Sequence, residues 1–367
     1  MWDVTEEILD AIEIGAGILG TGGGGNPYLG KLEAFQQLRA GKTIQVVSLD
    51  ELPEDAFVTT AGGMGSPTVG IERIGRGDEC VRAMRALERH LGRHFTHVMP
   101  GEIGGSNSMR PMIVAAQTGL SVIDGDGMGR AFPELQMDTF TIYGVAPTPG
   151  TLADPRGHEV IFDRISDAVT LERYARAVTI QMGGAAGYAF PPMTAEEVRR
   201  TAIPGTVSLA VEIGRAVLAA RAALANPVDA ALSVSGGQRL FHGKIVDVER
   251  RLLGGFARGV LQLEGSGQDA GRFLRIDFQN ENLIARTDDG EILAVVPDLI
   301  CLVDEDSAEP ITTEIVRYGL RVVVLGIPAP EMLKTQEALR VIGPEAFGYD
   351  GVPYVPLPGR FGEAPPI

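Results

Sequence analysis

The sequence predicts an α/β protein of two domains: an N-terminal α/β domain with glycine-rich loops at its strand ends (residues 1–235) and a β-rich C-terminal domain (236–367). Three observations carry this. The chain has 367 residues, more than one ordinary core holds, so two domains are expected. Its 48 glycines are roughly double the usual share of about 7%. They follow no Gly-X-Y period and gather instead where apolar, strand-like runs end, the layout of α/β proteins with functional loops. Near Gly236 the alternation of helical and extended patterns gives way to strand after strand, with a further sub-boundary near 165.

The elements follow in order. Ile8, Leu9, Ile12 and Ile14 stand near helical spacing, with Asp3 or Thr5 as N-cap and acids in the first turn, which predicts a helix running into the glycines. Residues 28–39 read as a second helix stopped by Gly41 and followed by a strand over 43–47. A buried strand is expected over 57–61, feeding the loop 62–67. Residues 76–94 predict a helix with Val81, Met84, Leu87 and Leu91 on one face. A strand over 95–99 then delivers PGEIGGSNS, a helix over 111–117 follows, and the run 121–123 leads into DGDGMGR. Three short apolar runs thus end in glycine-rich polar loops, which in an open α/β sheet converge on one crevice at the carboxyl ends of the strands.

Beyond Asp138 the pattern predicts a strand over 139–145, a segment 160–169 linking to a helix around 171–177, and a strand over 177–181. Helices are expected over 194–200 and 206–225. The β-rich part comprises runs at 241–248, 255–263, 273–280, 283–286 and 292–303, and a proline-rich tail from Pro353 is expected to lie extended on the surface.

Charge and composition narrow the function. Against 32 Lys and Arg stand 48 Asp and Glu, a net charge of −16, which argues against nucleic acid or an anionic membrane surface as partner. The amino terminus is acidic and amphipathic where a signal peptide would be basic and then apolar. No apolar run is long enough to span a membrane. Cys80 and Cys301 form no CxxC pattern, so neither a disulfide framework nor a thiolate zinc cage is available. A cytoplasmic protein is expected, and its acidic surface and apolar β-rich domain favour a homo-oligomer.

The stretch GTGGGGNPYLGK fits several nucleotide loops. Gly15–Gly20 and Gly20–Gly25 both satisfy GxGxxG, but that motif needs a preceding strand so that a pyrophosphate can sit on the following helix. A helix is predicted there instead. Asp50 lies roughly where a ribose-binding acid would. Gly25–Lys31 matches seven positions of a P-loop, yet Leu32 replaces the magnesium-binding hydroxyl. The remaining options are glycines serving close packing or a helix cap, or a loop whose Gly22, Gly23, Gly24 and Asn26 present amides to an anionic or carbonyl-bearing small molecule.

Other constellations carry alternatives of their own. His90, His94 and His97 could hold zinc, or could simply favour a helix C-terminus. Asp124 and Asp126 follow a buried run, where a carboxylate is costly unless its chemistry is used. A metal pair, a base or an Asx turn would each use it. Glu102 lies beside Gly104, Gly105 and Asn107, a kit for binding a cyclic amide and moving its protons, unless Glu102 caps a neighbouring helix. Arg130 and Glu134 form an i, i+4 ion pair or reach into the same crevice. The role of His158 is open, His242 is expected at the surface, and Cys301 is expected as a buried, inert thiol.

The segments LGTGGGGNPYLG, PGEIGGSNS, DGDGMGRAFPELQ, LFHGKIVDVERR and VPDLICLVD together resemble those of the S-methyl thiohydantoin desulfurase-like family, formerly a domain of unknown function. The resemblance spans nearly the whole chain. It implies an α/β domain followed by a largely β domain, and kinship with hydantoinase and oxoprolinase proteins, which act on five-membered cyclic amides. The histidines at 90, 94, 97 and 242 lie outside these segments.

The leading expectation is hydrolysis at C2 of a thiohydantoin-like or hydantoin-like ring, with hydantoin and methanethiol as products in the first case. Glu102 or Asp126 would activate water, amides of the 22–25 or 104–105 loops would hold the developing charge, and Asn107 would orient the ring. A divalent metal such as zinc, with Asp124, Asp126 and His158 as ligands, would acidify that water. The alternatives are a non-catalytic, metabolite-binding accessory subunit of a hydantoinase-type enzyme, and a nucleotide-dependent enzyme.

Overall fold

The computed structural model describes residues 1–73 and 75–363; the last four residues of the proline-rich tail lie outside the described residues. The N-terminal part is built on a mixed eight-stranded sheet. In spatial order its strands are Trp2–Asp3, Gln45–Val47, Ser121–Ile123, His97–Pro100, Phe57–Gly65, Ala185–Thr194, Gly150–Ala153 and Glu159–Phe162. Ser121–Ile123, His97–Pro100 and Phe57–Gly65 are parallel neighbours. Their carboxyl ends therefore share one edge, and the three glycine-rich loops they feed emerge side by side.

The second sheet has seven strands, ordered Ile292–Val295, Glu281–Thr287, Phe273–Gln279, Phe256–Gly265, Gln238–Leu253, Arg321–Ile327 and Leu299–Asp304. Every pairing in it is antiparallel. The fold is thus a mixed α/β domain followed by an antiparallel β domain.

The first helix, Glu6–Leu19, is capped by Thr5, whose hydroxyl accepts from the Ile8 amide. It packs on helix Thr206–Ala222 at a separation only glycine allows. A Cβ on Gly15 would lie 1.8 Å from the Ala210 carbonyl oxygen, and one on Gly214 would lie 1.8 Å from that of Ala11. The first GxGxxG match is therefore a helix-packing face.

Three expectations are corrected. Residues 139–145, β-branched and aromatic, contain the one-turn helix Thr139–Ile142, because Asp138 caps it by accepting from the Thr141 amide at 2.6 Å. The segment 177–181 is the end of helix Ala168–Gln181, and the strand begins only after the glycine pair, at Ala185–Thr194. The run 292–303 is two strands, Ile292–Val295 and Leu299–Asp304. The strand Arg321–Ile327, which the pattern reading omitted, joins Gln238–Leu253 to Leu299–Asp304.

Candidate functional site

A cavity of about 450 Å³ opens at the shared strand edge, walled by the glycine loop, the Glu102 loop, the end of strand Phe57–Gly65 and a turn of the second sheet. Gly24, Asn26, Glu102, Asn107 and Glu134 line it. Gly22, Gly23, Gly104, Gly105, Arg130, Asp124, Asp126 and His158 stand behind or away from its wall.

Glu102 follows strand His97–Pro100 and is only 7% exposed. Asn107 fixes one of its oxygens: the Asn107 amide nitrogen donates to Glu102 Oε1 and to the Gly63 carbonyl, while Asn107 Oδ1 accepts from the Gly63 amide at 2.7 Å. Glu102 Oε2 has no hydrogen-bond partner among the described residues. Burial pushes the carboxyl up to about 8, against the Asn107 bond and the nearby Phe132 amide, which is outside hydrogen-bond geometry for Oε2; both favour the anion. Beside it stands Tyr188, whose phenol burial holds well above its ordinary value. Gly62 and Gly101 make room for that phenol, since a Cβ on either would lie 2.5 or 2.4 Å from its oxygen.

The glycine loop presses on the Glu102 loop backbone to backbone. Asn107 donates its amide to the Gly24 carbonyl at 3.1 Å, and Ser106 donates its amide to that of Gly25 at 3.2 Å. Gly24 and Gly25 have φ of 76° and 79°, the left-handed region that favours glycine. A Cβ on Gly105 would sit 2.1 Å from the Gly25 oxygen, and one on Gly104 would sit 2.7 Å from the Ala131 Cβ. Asn26 caps helix Pro27–Arg39 through the Tyr28 amide at 3.0 Å. Gly22 faces the other domain, its carbonyl accepting from the Thr313 amide at 2.8 Å. The loop joins two helices, so the strand a dinucleotide or P-loop site needs is absent.

Several sequence candidates have other occupations. Asp126 is fully buried and accepts from the amides of Ile103 at 2.8 Å, Met128 at 3.1 Å and Gly129 at 2.8 Å. Burial pushes its carboxyl up to about 7 against these amides. With its oxygens so engaged, it organises the loop behind Glu102. Asp124 turns the opposite way and receives the amide of Ser208 at 3.0 Å and its hydroxyl, anchoring the first turn of helix Thr206–Ala222.

Arg130 makes no ion pair with Glu134. Fully buried, it donates to Ala131 O at 3.0 Å, Pro297 O at 3.1 Å, Asp298 O at 2.8 Å, Asn282 O at 3.1 Å and Thr21 Oγ1 at 2.8 Å. It is a clamp between domains. Glu134 instead accepts from Gln136.

The metal candidates do not converge. His158 sits on an exposed turn, with Nδ1 3.0 Å from Asp154. His90 pairs with Asp163 and His94 with Glu88, while His97 meets Thr96, so the three do not form a zinc triad. Among the described residues no group of three His, Cys, Asp or Glu side chains is placed to hold a metal ion. His242, part-buried in the β domain, pairs with Glu305 at 2.7 Å. Cys301 is buried and its thiol is pushed up to about 12; Cys80 touches the cavity, with burial pushing its thiol up to about 11.

The pattern reading missed Glu281, which the second sheet places on the same cavity. It is 2% exposed, and its carboxyl is pushed well above the ordinary range, first by burial and then by the charge of Glu102. The available signal was the polar triplet Asn280-Glu281-Asn282 breaking the apolar run FQNENLI.

Two family domains cover nearly the entire chain: the S-Me-THD-like N-terminal domain matches residues 7–164 and the S-Me-THD-like C-terminal domain matches residues 166–357. The fold matches an X-ray crystal structure of a protein from Chromobacterium violaceum at a TM-score of 0.79 and 25% identity, over 97% of this chain and 100% of that one. No curated protein matches the chain. No helix among the described residues is long and apolar enough to cross a membrane.

Proposed function

Because the chain belongs to the S-Me-THD-like family, we propose that it is a hydrolase of a small five-membered cyclic amide or amidine. An S-methyl thiohydantoin is the leading substrate, with the hydantoin and methanethiol as products. The observation that carries this reading is the partnerless Oε2 of Glu102, a buried carboxyl oxygen on a cavity that also holds an amide-rich loop. Water attacks the ring carbon bearing the methylsulfanyl group and a C–O bond forms. The C–S bond then breaks with its electron pair on sulfur, which takes a proton and leaves as methanethiol.

Glu102 is the group suited to move that proton. With its carboxyl near 8, it is mostly protonated at neutral pH yet keeps an ionised fraction, the condition under which one carboxyl serves as acid or base. Asn107 holds it in place. The amides of Gly24 and Gly25 make no hydrogen bond elsewhere among the described residues and are the donors for the negative charge that develops on the ring.

Release of methanethiol from an S-methyl thiohydantoin, followed with a thiol-reactive chromophore, tests the proposal. Glu102→Gln should lower kcat by about 10²- to 10⁴-fold with the fold retained. A folded wild-type protein that turns over neither S-methyl thiohydantoins nor hydantoins would overturn it.

A further inference from the structure

Glu281 is held in place by the residues on either side of it. Asn280 stands at φ 58°, donates its amide to the Ala257 carbonyl at 2.7 Å and accepts the Ala257 amide on its side-chain oxygen at 2.9 Å. Asn282 donates its amide to Thr21 O at 2.8 Å and its side chain to Ile300 O at 2.9 Å. Between these anchors the Glu281 carboxyl is directed at the glycine loop, and its Oε2 has no partner among the described residues. Gly23 supplies the space: a Cβ there would lie 1.9 Å from Glu281 Oε1. Gly23 is absent from the positive-φ residues, so room for the carboxyl, and no backbone demand, calls for glycine. A buried acid with an idle oxygen is costly to keep, and Glu281 shares this condition, and the same cavity, with Glu102.

We propose that Glu281 is a second catalytic carboxyl, supplied by the β domain, which works with Glu102 as a pair whose reactive form, the minority at neutral pH, holds one proton between the two. This rests on the hydrolase reading above. The ionised member takes a proton from the attacking water as the C–O bond forms. The protonated member gives its proton to sulfur as the C–S bond breaks. The second proton of the water ends on the ring nitrogen. After each turnover the pair again holds one proton, with the roles exchanged, so no other acid or base is consumed.

Two measurements test this. The first needs no substrate: infrared difference spectra of the carboxyl band, recorded against pH for the wild type, Glu281→Gln and Glu102→Gln. Removing Glu102 should lower the titration midpoint of Glu281, because the neighbouring carboxyl that ionises first has gone. An unchanged Glu281 midpoint in Glu102→Gln would overturn the pairing.

The second is kinetic. Glu281→Gln should lower kcat at least about 100-fold and remove one limb of the kcat/KM profile against pH. Gly23→Ala, which leaves Glu281 in the sequence but displaces its side chain, should reproduce that loss. Combining the two changes should cost no more than Glu281→Gln alone. Near-normal turnover in Gly23→Ala and Glu281→Gln would overturn the catalytic role. An inactive wild type would overturn the hydrolase reading and that role with it, while the infrared midpoints still decide whether the two carboxyls are linked.

Discussion

Replacing Glu102 by Gln should flatten the dependence of stability on pH. In the folded protein burial pushes this carboxyl up to about 8 from an ordinary 4.5. The folded state therefore keeps a proton that the unfolded chain begins to release near pH 4.5. Where the folded state binds more protons, unfolding free energy falls as pH rises. The wild type thus loses stability from about pH 4.5 to pH 8 and then levels off. At about 1.4 kcal/mol for each pH unit, the displacement is worth about 5 kcal/mol at most. Gln keeps the acceptor that Asn107 needs and carries no titrating proton. The difference in unfolding free energy, Glu102→Gln minus wild type, should therefore grow by several kcal/mol between pH 5 and 8. Asp138, pushed up to about 7, titrates in both proteins and drops out of the difference, whereas Asp126, whose charge acts on Glu102, adds a smaller term to it. Urea unfolding at pH 5, 6, 7 and 8 reads it directly. Parallel curves would refute the assignment of a buried, neutral Glu102.

Other perturbations test the supporting structure. Arg130→Met strips the donors from the Pro297, Asp298 and Asn282 carbonyls of the β domain and from the Thr21 hydroxyl of the first domain and should cost about 3–5 kcal/mol, the scale for breaking a buried charged network, seen as a lowered urea midpoint. Asp126→Asn leaves one carbonyl oxygen where two carboxylate oxygens met the amides of Ile103, Met128 and Gly129. A loss of about 1–3 kcal/mol, with weaker turnover as the Glu102 loop loosens, is expected in denaturation and methanethiol assays. Asp124→Ala removes an anchor of one helix turn and should cost about 1 kcal/mol with kcat unchanged; a large fall in kcat would return Asp124 to the reaction.

Much of the architecture was legible because it follows from short-range rules. Apolar runs ending in glycine loops marked three parallel strands and the edge they share, and Thr5 with Ile8, Leu9 and Ile12 marked the helix that rules out the nucleotide motifs. Glu102 and Asn107 were legible as polar residues just past a buried strand. Direction was not. Asp124 and Asp126 alternate along an extended backbone, yet one meets Ser208 and the other an amide cluster, because their partners come from distant parts of the chain. Arg130 looked like a ligand group for the same reason: four of its five acceptors lie at least 109 residues away in sequence. The helix Thr139–Ile142 shows a cap overriding propensity, since the Asp138 carboxylate decides against a β-branched segment. Glu281 escaped because its meaning depends on Gly23, and nothing local links the two.

The Arg130 clamp also bears on the order in which the chain matures. Arg130 emerges early during synthesis, whereas Asp298, the source of one of its acceptors, follows 168 positions later. At about 5–20 residues per second of translation, the guanidinium waits on the order of 10–30 s for that carbonyl. Until then it cannot be sealed from water without leaving a charge unsatisfied. Thr21, at the head of the glycine loop, accepts from the same arginine, so the first domain stays loose at this edge and sets only when the second arrives. A ribosome-stalled chain whose residue 235 has cleared the exit tunnel should accordingly be cut by protease within 100–135 and spared across helix Glu6–Leu19.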